Sequence, residues 1–526
     1  MRPAAMDHLE AVIISLLVAV VILSALATRI GIPYPILLVL GGAVLGFLPG
    51  IPDISLDPDL VLVVFLPPLL YSAAFFANLR ELRADARTIT LMSTLLVGVT
   101  AVAVAVAMHA LVAGLPWEAC FALGAIVAPT DPVAATQIAR RLDVPRRTIN
   151  ILEGESLVND ASALVIYKVA VGVITGTAFS VADAGLRFVI AAAGGVAIGL
   201  VVAVAIREIR RRLDDPPVEI TISLLSGYAA YIPADAVGAS GVVAAVTTGI
   251  AIGWWAPAIA SPEVRQQGLA LWSLLSFFLN ALLFVLIGLQ LPTILDGLAG
   301  ESTGFLLGVA AAVSGVVIGV RILWGWTTPY IVRALDRRPS QRARRSGWRQ
   351  RMVLAWAGMR GAVSLAAALA LPAETPQRDL LIFVTFAVIL ATLVLQGLTL
   401  PTVIRRLEVH GDGEEEREEL RARLAATEAA LARLDELVAE DWTRDDSIER
   451  MTGLYSYRRR RLKARAGKID DEGFEDRSYA YQRAVREVLE AQRAAVVALR
   501  NDGTISNDVM HRIERELDLE DQRLEI

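Results

Sequence analysis

Residues 121–139 read FALGAIVAPTDPVAATQIA. The run is apolar enough for a membrane helix, yet it holds an acid, Asp131, bracketed by Pro129 and Pro132. Each proline removes an amide donor and clashes with the preceding turn, so a helix entering this stretch unwinds there. The freed carbonyls, the Thr130 hydroxyl and the Asp131 carboxylate are hard oxygen donors, of the kind that suit a small hard cation. Asp131 could also simply cap the second half-helix through a free amide, and the two roles can coexist. A carboxylate at bilayer depth costs roughly 2.5–3.5 kcal/mol even on the lenient insertion scale, which marks it as a functional-site candidate.

A second acid lies in the next apolar run, NILEGESLVNDASALVIYKVA, residues 150–170. Ser156 and Asp160 are four apart and share a helix face; Glu155 and Asn159 share the adjacent one. A helix entering near Ile149 carries Asp160 about 11 residues deep, roughly 16 Å at 1.5 Å per residue, which is near the midplane. A carboxylate there can hold a proton or a cation but not both, which is what an exchanger needs. The plainer reading, a polar contact between helices made by Asn159 and Ser156, leaves Asp160 unexplained.

The composition agrees with a membrane setting. The chain has 526 residues, 55% of them hydrophobic, and a mean hydropathy of +0.54, as expected of a polytopic membrane protein. Charge is unevenly spread: 30 of the 55 acidic residues follow residue 406, and the remainder is net basic. The reading is a transmembrane domain over 1–406 and a charged, helical, cytoplasmic tail over 407–526. The single cysteine, Cys120, excludes an intramolecular disulfide, and four histidines make zinc chemistry unpromising. No nucleotide-binding glycine motif or metal cluster stands out in the tail, and nothing calls for a cofactor, a nucleic-acid partner or an enzymatic reaction.

About thirteen apolar runs are long enough to span, given a requirement of about 20 residues. They centre near Val18, Gly41, Pro67, Gly98, Val127, Leu164, Gly195, Leu225, Val246, Leu279, Ala311, Gly361 and Leu390. The second and ninth are short or weak. With the N-terminus outside, the inner loops collect 23 arginines, from Arg29 through the 333–351 run to Arg406, and the outer side only Arg2, Arg187 and Arg378. The positive-inside rule therefore favours thirteen spans, N-terminus out and C-terminus in. The fifth span carries Asp131; the twelfth is the glycine-interrupted run LAWAGMRGAVSLAAALALP, residues 354–372. They are an odd number of spans apart and run in opposite directions. Paired broken helices in opposed orientation mark an inverted-repeat transporter with its site near the midplane.

Arg321, in GVVIGVRILWGW on the eleventh span, and Glu155 lie about five and six residues from the inner ends of their spans. The matching depths predict an ion pair that locks the core, because a lone buried charge is far costlier; snorkelling of Arg321 is the alternative. Arg360, near the midplane of the twelfth span, is expected to balance the acids or bind the crossing carbonyls, and so to hold the broken helix. Lys168 reads as snorkelling outward, and Asn280 and Gln290 as hydrogen bonds between helices.

Four strings together resemble the monovalent cation:proton antiporter-1 family, bacterial NhaP-type antiporters and mammalian NHE exchangers included: PTDPVA at 129–134, GESLVNDASALV at 154–165, LNALLFVLIGLQL at 279–291 and GMRGAVSLA at 358–366. The resemblance implies an all-α, NhaA-like fold with spans five and twelve unwound and crossed, and a homodimer. It implies exchange of one Na⁺ (or Li⁺, or in some members K⁺) for one H⁺, in pH homeostasis and salt tolerance at the plasma membrane. It assigns the cation to Asp160 and Asp131, with Asn159, Ser156 and Thr130 around it. Asn159 marks the electroneutral branch, and Glu155 and Arg321 match the family's bridge. One departure concerns LPPLLYSAA, residues 66–74, where Ser72 stands at a position that is acidic in many members and leaves the choice between Na⁺ and K⁺ open. A K⁺/H⁺ antiporter, or an ion sensor with the tail as output, are the rival readings.

The tail resembles no family. Its run EEEREELRARLAATEAALARLDELVAE reads as a charged helix with Leu420, Leu424, Leu431, Leu434 and Val438 on one stripe. The run Tyr455–Arg461 could meet anionic lipid.

Overall fold

The computed structural model describes residues 3–48, 61–176, 181–298, 300–335, 346–411, 413–469 and 473–524. Arg2 and the arginines within 336–345, counted above for orientation, lie outside them. Among the described residues the secondary structure is helical, with no strand. The chain divides into two compact units, 1–411 and 412–526.

In the first unit the helices are α1 (Pro3–Ile30), α2 (Tyr34–Gly46), α3 (61–75), α4 (Leu79–Leu111), α5 (Trp117–Val127), α6 (Val133–Arg141), α7 (Arg146–Ile174), α8 (Val181–Arg210), α9 (Pro216–Ala236), α10 (Gly241–Ile259), α11 (Pro262–Leu289), α12 (Leu291–Asp296), α13 (Thr303–Leu335), α14 (Trp348–Trp356), α15 (Ala362–Leu369) and α16 (Arg378–Arg406). Among the described residues seven helices are long and apolar enough to cross a membrane, and four shorter ones are apolar. The run centred on Val246, weak in the sequence, is one of the seven (α10). Twelve of the thirteen centres read from the sequence fall within helices; Gly361 falls in the gap between α14 and α15. Large apolar side chains such as Val21, Ile190, Val201 and Leu274 point outward, as suits a surface facing lipid.

Two helices are broken where the sequence calls for it. The run read as the fifth span is α5 and α6, separated at Ala128–Pro132; the run read as the twelfth is α14 and α15, separated at Ala357–Gly361. Three helices also widen to π-helical turns, at Val61–Phe65, Leu91–Leu96 and Thr392–Gln396, a local distortion that often accompanies functional sites. Close helix contact rests on small residues. A Cβ on Gly42 would overlap the backbone of Val285, and one on Gly288 the backbone of Val39, so α2 and α11 pack backbone to backbone.

In the second unit, α17 (Glu414–Leu437) packs on α18 (Asp445–Arg465) through Leu431, Leu434 and Ile448. The expected stripe is partly met: Leu424, Leu431 and Leu434 are buried, whereas Val438 is exposed. The guanidinium of Arg458 sits 5.4 Å from the Tyr455 ring. The pair α19 (Phe474–Asn501) and α20 (Asn507–Leu524) is tied by Arg493, whose Nη2 donates to Asp518 at 2.8 Å and Asp521 at 3.3 Å.

Candidate functional site

The two helix breaks meet. The Asp131 amide donates to the Met359 carbonyl at 2.9 Å, so unwound backbone of one broken helix satisfies unwound backbone of the other. The prolines explain the break at α5, since Pro129 and Pro132 carry no amide to continue it. Asp131 Oδ1 then accepts from the Val133 amide at 2.9 Å, capping α6. Its carboxylate also lies against Gly361, the residue before α15, where any Cβ would overlap it. One carboxylate thus faces the N-terminal ends of two half-helices, where the helix dipoles favour negative charge. The capping contact weighed from the sequence is present at Asp131.

Asp160 is 8% exposed on α7. Among the described residues its carboxylate has no hydrogen-bond or ion partner, and it lies within electrostatic range of Asp131. Ser156, one turn earlier on the same face, is half-buried. Asn159 is fully buried; its Nδ2 donates to the Thr130 carbonyl and to Thr130 Oγ1, both at 3.1 Å. Asn159 Oδ1 is buried without a hydrogen-bond partner among the described residues. The Thr130 hydroxyl donates to Glu155 Oε1 at 3.0 Å. Thr130 is therefore held in a network, with one lone pair left for another ligand.

Glu155 and Arg321 pair through two hydrogen bonds. Arg321 Nη1 donates to Oε1, and Nη2 donates to Oε2 at 2.8 Å, both side chains being buried. Such a bidentate geometry is the strong form of a charged hydrogen bond. Arg321 also donates to the Leu354 carbonyl, from Nε at 3.3 Å and Nη2 at 3.2 Å. Leu354 lies in the last turn of α14, so the guanidinium satisfies a carbonyl at the negative end of that half-helix. The side chain passes over Gly358, where a Cβ would overlap it.

Arg360 departs from one expectation. It is 1% exposed, but its guanidinium makes no hydrogen bond to a crossing carbonyl among the described residues, and Nε and Nη1 are unpartnered. What ties this residue to a neighbour is its backbone: the Arg360 amide donates to Thr392 Oγ1 at 3.1 Å. Charge balance remains open to the side chain; carbonyl binding does not describe it.

Other residues fall outside the cluster. Ser72 Oγ donates to the Leu69 carbonyl at 3.0 Å and lies 3.2 Å from Ser276 Oγ, so its hydroxyl is satisfied between α3 and α11. Asn280 bonds back to the Ser276 carbonyl of its own helix at 2.8 Å, rather than across to another. Lys168 is exposed and 3.7 Å from Asp235. Thr392 and Arg378 are participants that the sequence did not single out. Arg378 donates to the carbonyls of Leu369 at 2.7 Å and Leu371 at 2.8 Å, covering the C-terminal end of α15. No local signal marks Thr392; Arg378 reads only as a loop charge.

A family model described as "Sodium/hydrogen exchanger, transmembrane" matches residues 13–406, the stretch that holds both broken helices and both acids. The chain belongs to the sodium/hydrogen exchanger family. The exchanger is 38% identical over 523 residues to "Uncharacterized Na(+)/H(+) exchanger Rv2287" of Mycobacterium tuberculosis, covering 98% of this chain and 96% of the relative. It is 35% identical over 408 residues to the "Na(+)/H(+) antiporter ApNhaP" of Aphanothece halophytica, covering 77% and 75%. Its fold is similar to that of the sodium proton antiporter MjNhaP1 of Methanocaldococcus jannaschii, with a TM-score of 0.60 at 20% identity, covering 76% of this chain and 99% of that one. The exchanger is thus a multi-pass membrane protein of the NhaP/NHE type, and its class of activity is cation/proton antiport, that of a transporter.

Proposed function

We propose that this exchanger trades one Na⁺ for one H⁺ by alternating access around Asp160 and Asp131, with Li⁺ an alternative cargo. The observation that carries the reading is the carboxylate of Asp160, enclosed by the fold and yet without a hydrogen bond or ion pair among the described residues. A buried carboxylate normally persists only if paired, protonated or holding a cation. Asp160 is the group that alternates between H⁺ and the cation. Asp131 adds the second carboxylate, and Ser156 and the free lone pair of Thr130 add neutral oxygens. Asn159 contributes no proton, so one charge crosses in each direction and exchange is electroneutral. Glu155 and Arg321 hold the half-helices, and Arg360 balances the acids.

The same reading places thirteen spans in an inverted repeat over 1–406, N-terminus outside, in the plasma membrane. It places 407–526 in the cytoplasm as a regulatory tail, and joins two chains as a homodimer that serves salt tolerance. K⁺ is the second reading of the cargo. It is supported by a relative from Bacillus subtilis, 30% identical over 389 residues, named a "Sodium, potassium, lithium and rubidium/H(+) antiporter".

The test uses the purified chain in vesicles with an internal pH dye, clamped at zero potential, with Na⁺, Li⁺ or K⁺ added in turn. Cation-dependent proton movement is expected for Na⁺ and should not respond to an imposed potential. Proton movement with K⁺ alone would move the cargo to the second reading; none with any cation would sink both.

A further inference from the structure

Away from the acids, a cavity of about 160 Å³ opens between α4, α7, α13 and α14. By the same measure one water needs roughly 10–15 Å³, so the space is larger than a water site. Four arginines line it: Arg87, Arg147, Arg321 and Arg351. Arg87 has an interaction of its own, and Arg147 and Arg321 are answered by acids. Asp85 takes both Nε and Nη2 of Arg147, and Glu155 takes Arg321.

Arg351 is different. Among the described residues it has no carboxylate partner. Its Nε is buried without a hydrogen bond, its Nη1 reaches the Gly325 carbonyl only at 3.5 Å, and its guanidinium stacks 5.2 Å from the Tyr330 ring. The rest of the lining is largely apolar, with Leu91, Met92 and Trp324 among its members. Beside it α13 turns Leu323, Trp326 and Ile331 outward.

A pocket with one guanidinium that no carboxylate answers among the described residues, a buried Nε donor left over and largely apolar walls selects an oxyanion over a cation or a neutral polar ligand. Arginine-lined pockets between membrane helices suit phosphate-bearing headgroups in particular. We propose that this cavity binds a phosphate-type oxyanion on Arg351, with Arg87 and Arg147 around it, carried on an anionic lipid headgroup or free in solution. The site shares Arg321 with the Glu155 pair, and Arg351 itself lies on α14, so an occupant sits directly on the half-helix that Arg321 caps.

The experiment uses the full chain in detergent micelles and maps modification of Arg351 by phenylglyoxal with peptide mass spectrometry. The probes are phosphatidylglycerol against phosphatidylcholine, and inorganic phosphate against chloride. A site that reacts only when empty is slowed by 1 + [L]/Kd, so a probe at about ten times its Kd should slow modification of Arg351 by about tenfold. Protection by phosphatidylglycerol alone assigns a lipid headgroup; protection by inorganic phosphate as well assigns the oxyanion itself. In parallel, Arg351→Gln should lose the thermal stabilisation that the protecting probe confers. Arg349→Gln, which removes an exposed charge paired with Glu408, should keep it. Unchanged labelling with both probes, or wild-type stabilisation of Arg351→Gln, overturns the proposal. Should Arg351→Gln fail to fold, the labelling of the wild-type chain decides alone.

Discussion

The amide of Asp131 donates to the carbonyl of Met359 at 2.9 Å, joining two unwound segments more than two hundred residues apart. The acid of one broken helix is thereby fixed by the backbone of the other, so its carboxylate is held at the crossing whatever occupies the site. Asp160 has no such tie among the described residues, and under the proposed function the two acids divide the labour.

Asp160→Asn tests that division. The substitution keeps the side chain's shape and removes no hydrogen bond or ion pair, because Asp160 has none among the described residues. Stability should stay within about 1 kcal/mol of wild type, as for changes that break no named interaction. Exchange in reconstituted vesicles should fall below detection, since the amide can neither release a proton nor balance a cation. A variant that retains wild-type exchange at normal thermal stability removes Asp160 from the site.

Gly361→Ala addresses the other acid. Gly361 has φ −127°, an extended conformation open to any residue, so backbone strain is not the issue. The new methyl would overlap the Asp131 carboxylate and push it from the N-terminus of α15. Overpacking of this kind costs about 1–3 kcal/mol. The expectation is a lowered unfolding temperature together with weaker apparent cation affinity. Unchanged exchange would show that the acid tolerates displacement.

The crossing was legible because its causes are local. Pro129, Pro132 and the glycines of GMRG each act on their own turn, and depth along a helix follows from counting residues, which is why Glu155 and Arg321 could be matched across a long sequence gap. The partners of Arg360 were not legible. Whether its guanidinium or its amide finds an acceptor depends on the π-helical turn that brings Thr392 inward, and such a turn has no periodicity to read. Asn280 misled for a related reason: a polar residue on an apolar helix can bond back to its own preceding turn, and its sequence is the same either way.

Thr392 therefore invites its own test. It accepts from the buried Arg360 amide and itself donates to the Val388 carbonyl at 2.8 Å. Thr392→Val leaves the amide without an acceptor, a loss of about 1–3 kcal/mol. Thr392→Ser should restore most of it. Thermal unfolding of the two variants measures the difference; equal stability would mean the amide finds water.

Ser72 stands at the position that left the choice of cation open in the sequence. Its hydroxyl is already engaged by Leu69 and Ser276, so it has little left to offer a cation. Ser72→Ala should cost about 1 kcal/mol of stability, as for one ordinary hydrogen bond, and leave the relative rates with Na⁺, Li⁺ and K⁺ unchanged. A changed order of cations would return Ser72 to the site.

The last test concerns Glu155 and Arg321, where the two single variants should differ. Glu155→Gln keeps a polar group beside Thr130, and Arg321 keeps the Leu354 carbonyl as an acceptor. Arg321→Met strips Glu155 of its counter-charge and the Leu354 carbonyl of its donor at once. Breaking one side of a buried pair costs about 3–5 kcal/mol, whereas replacing both partners by apolar residues can be nearly neutral. Arg321→Met should fall at the top of that range and Glu155→Gln below it. The double variant Glu155→Leu/Arg321→Met should lose less stability than the summed losses of Glu155→Leu and Arg321→Met made singly, because no buried charge is left alone. It should still exchange poorly, because the Leu354 carbonyl at the end of α14 has lost its cap and the half-helix its anchor. Full exchange in the double variant would reduce the pair to a fold element with no part in holding the crossing.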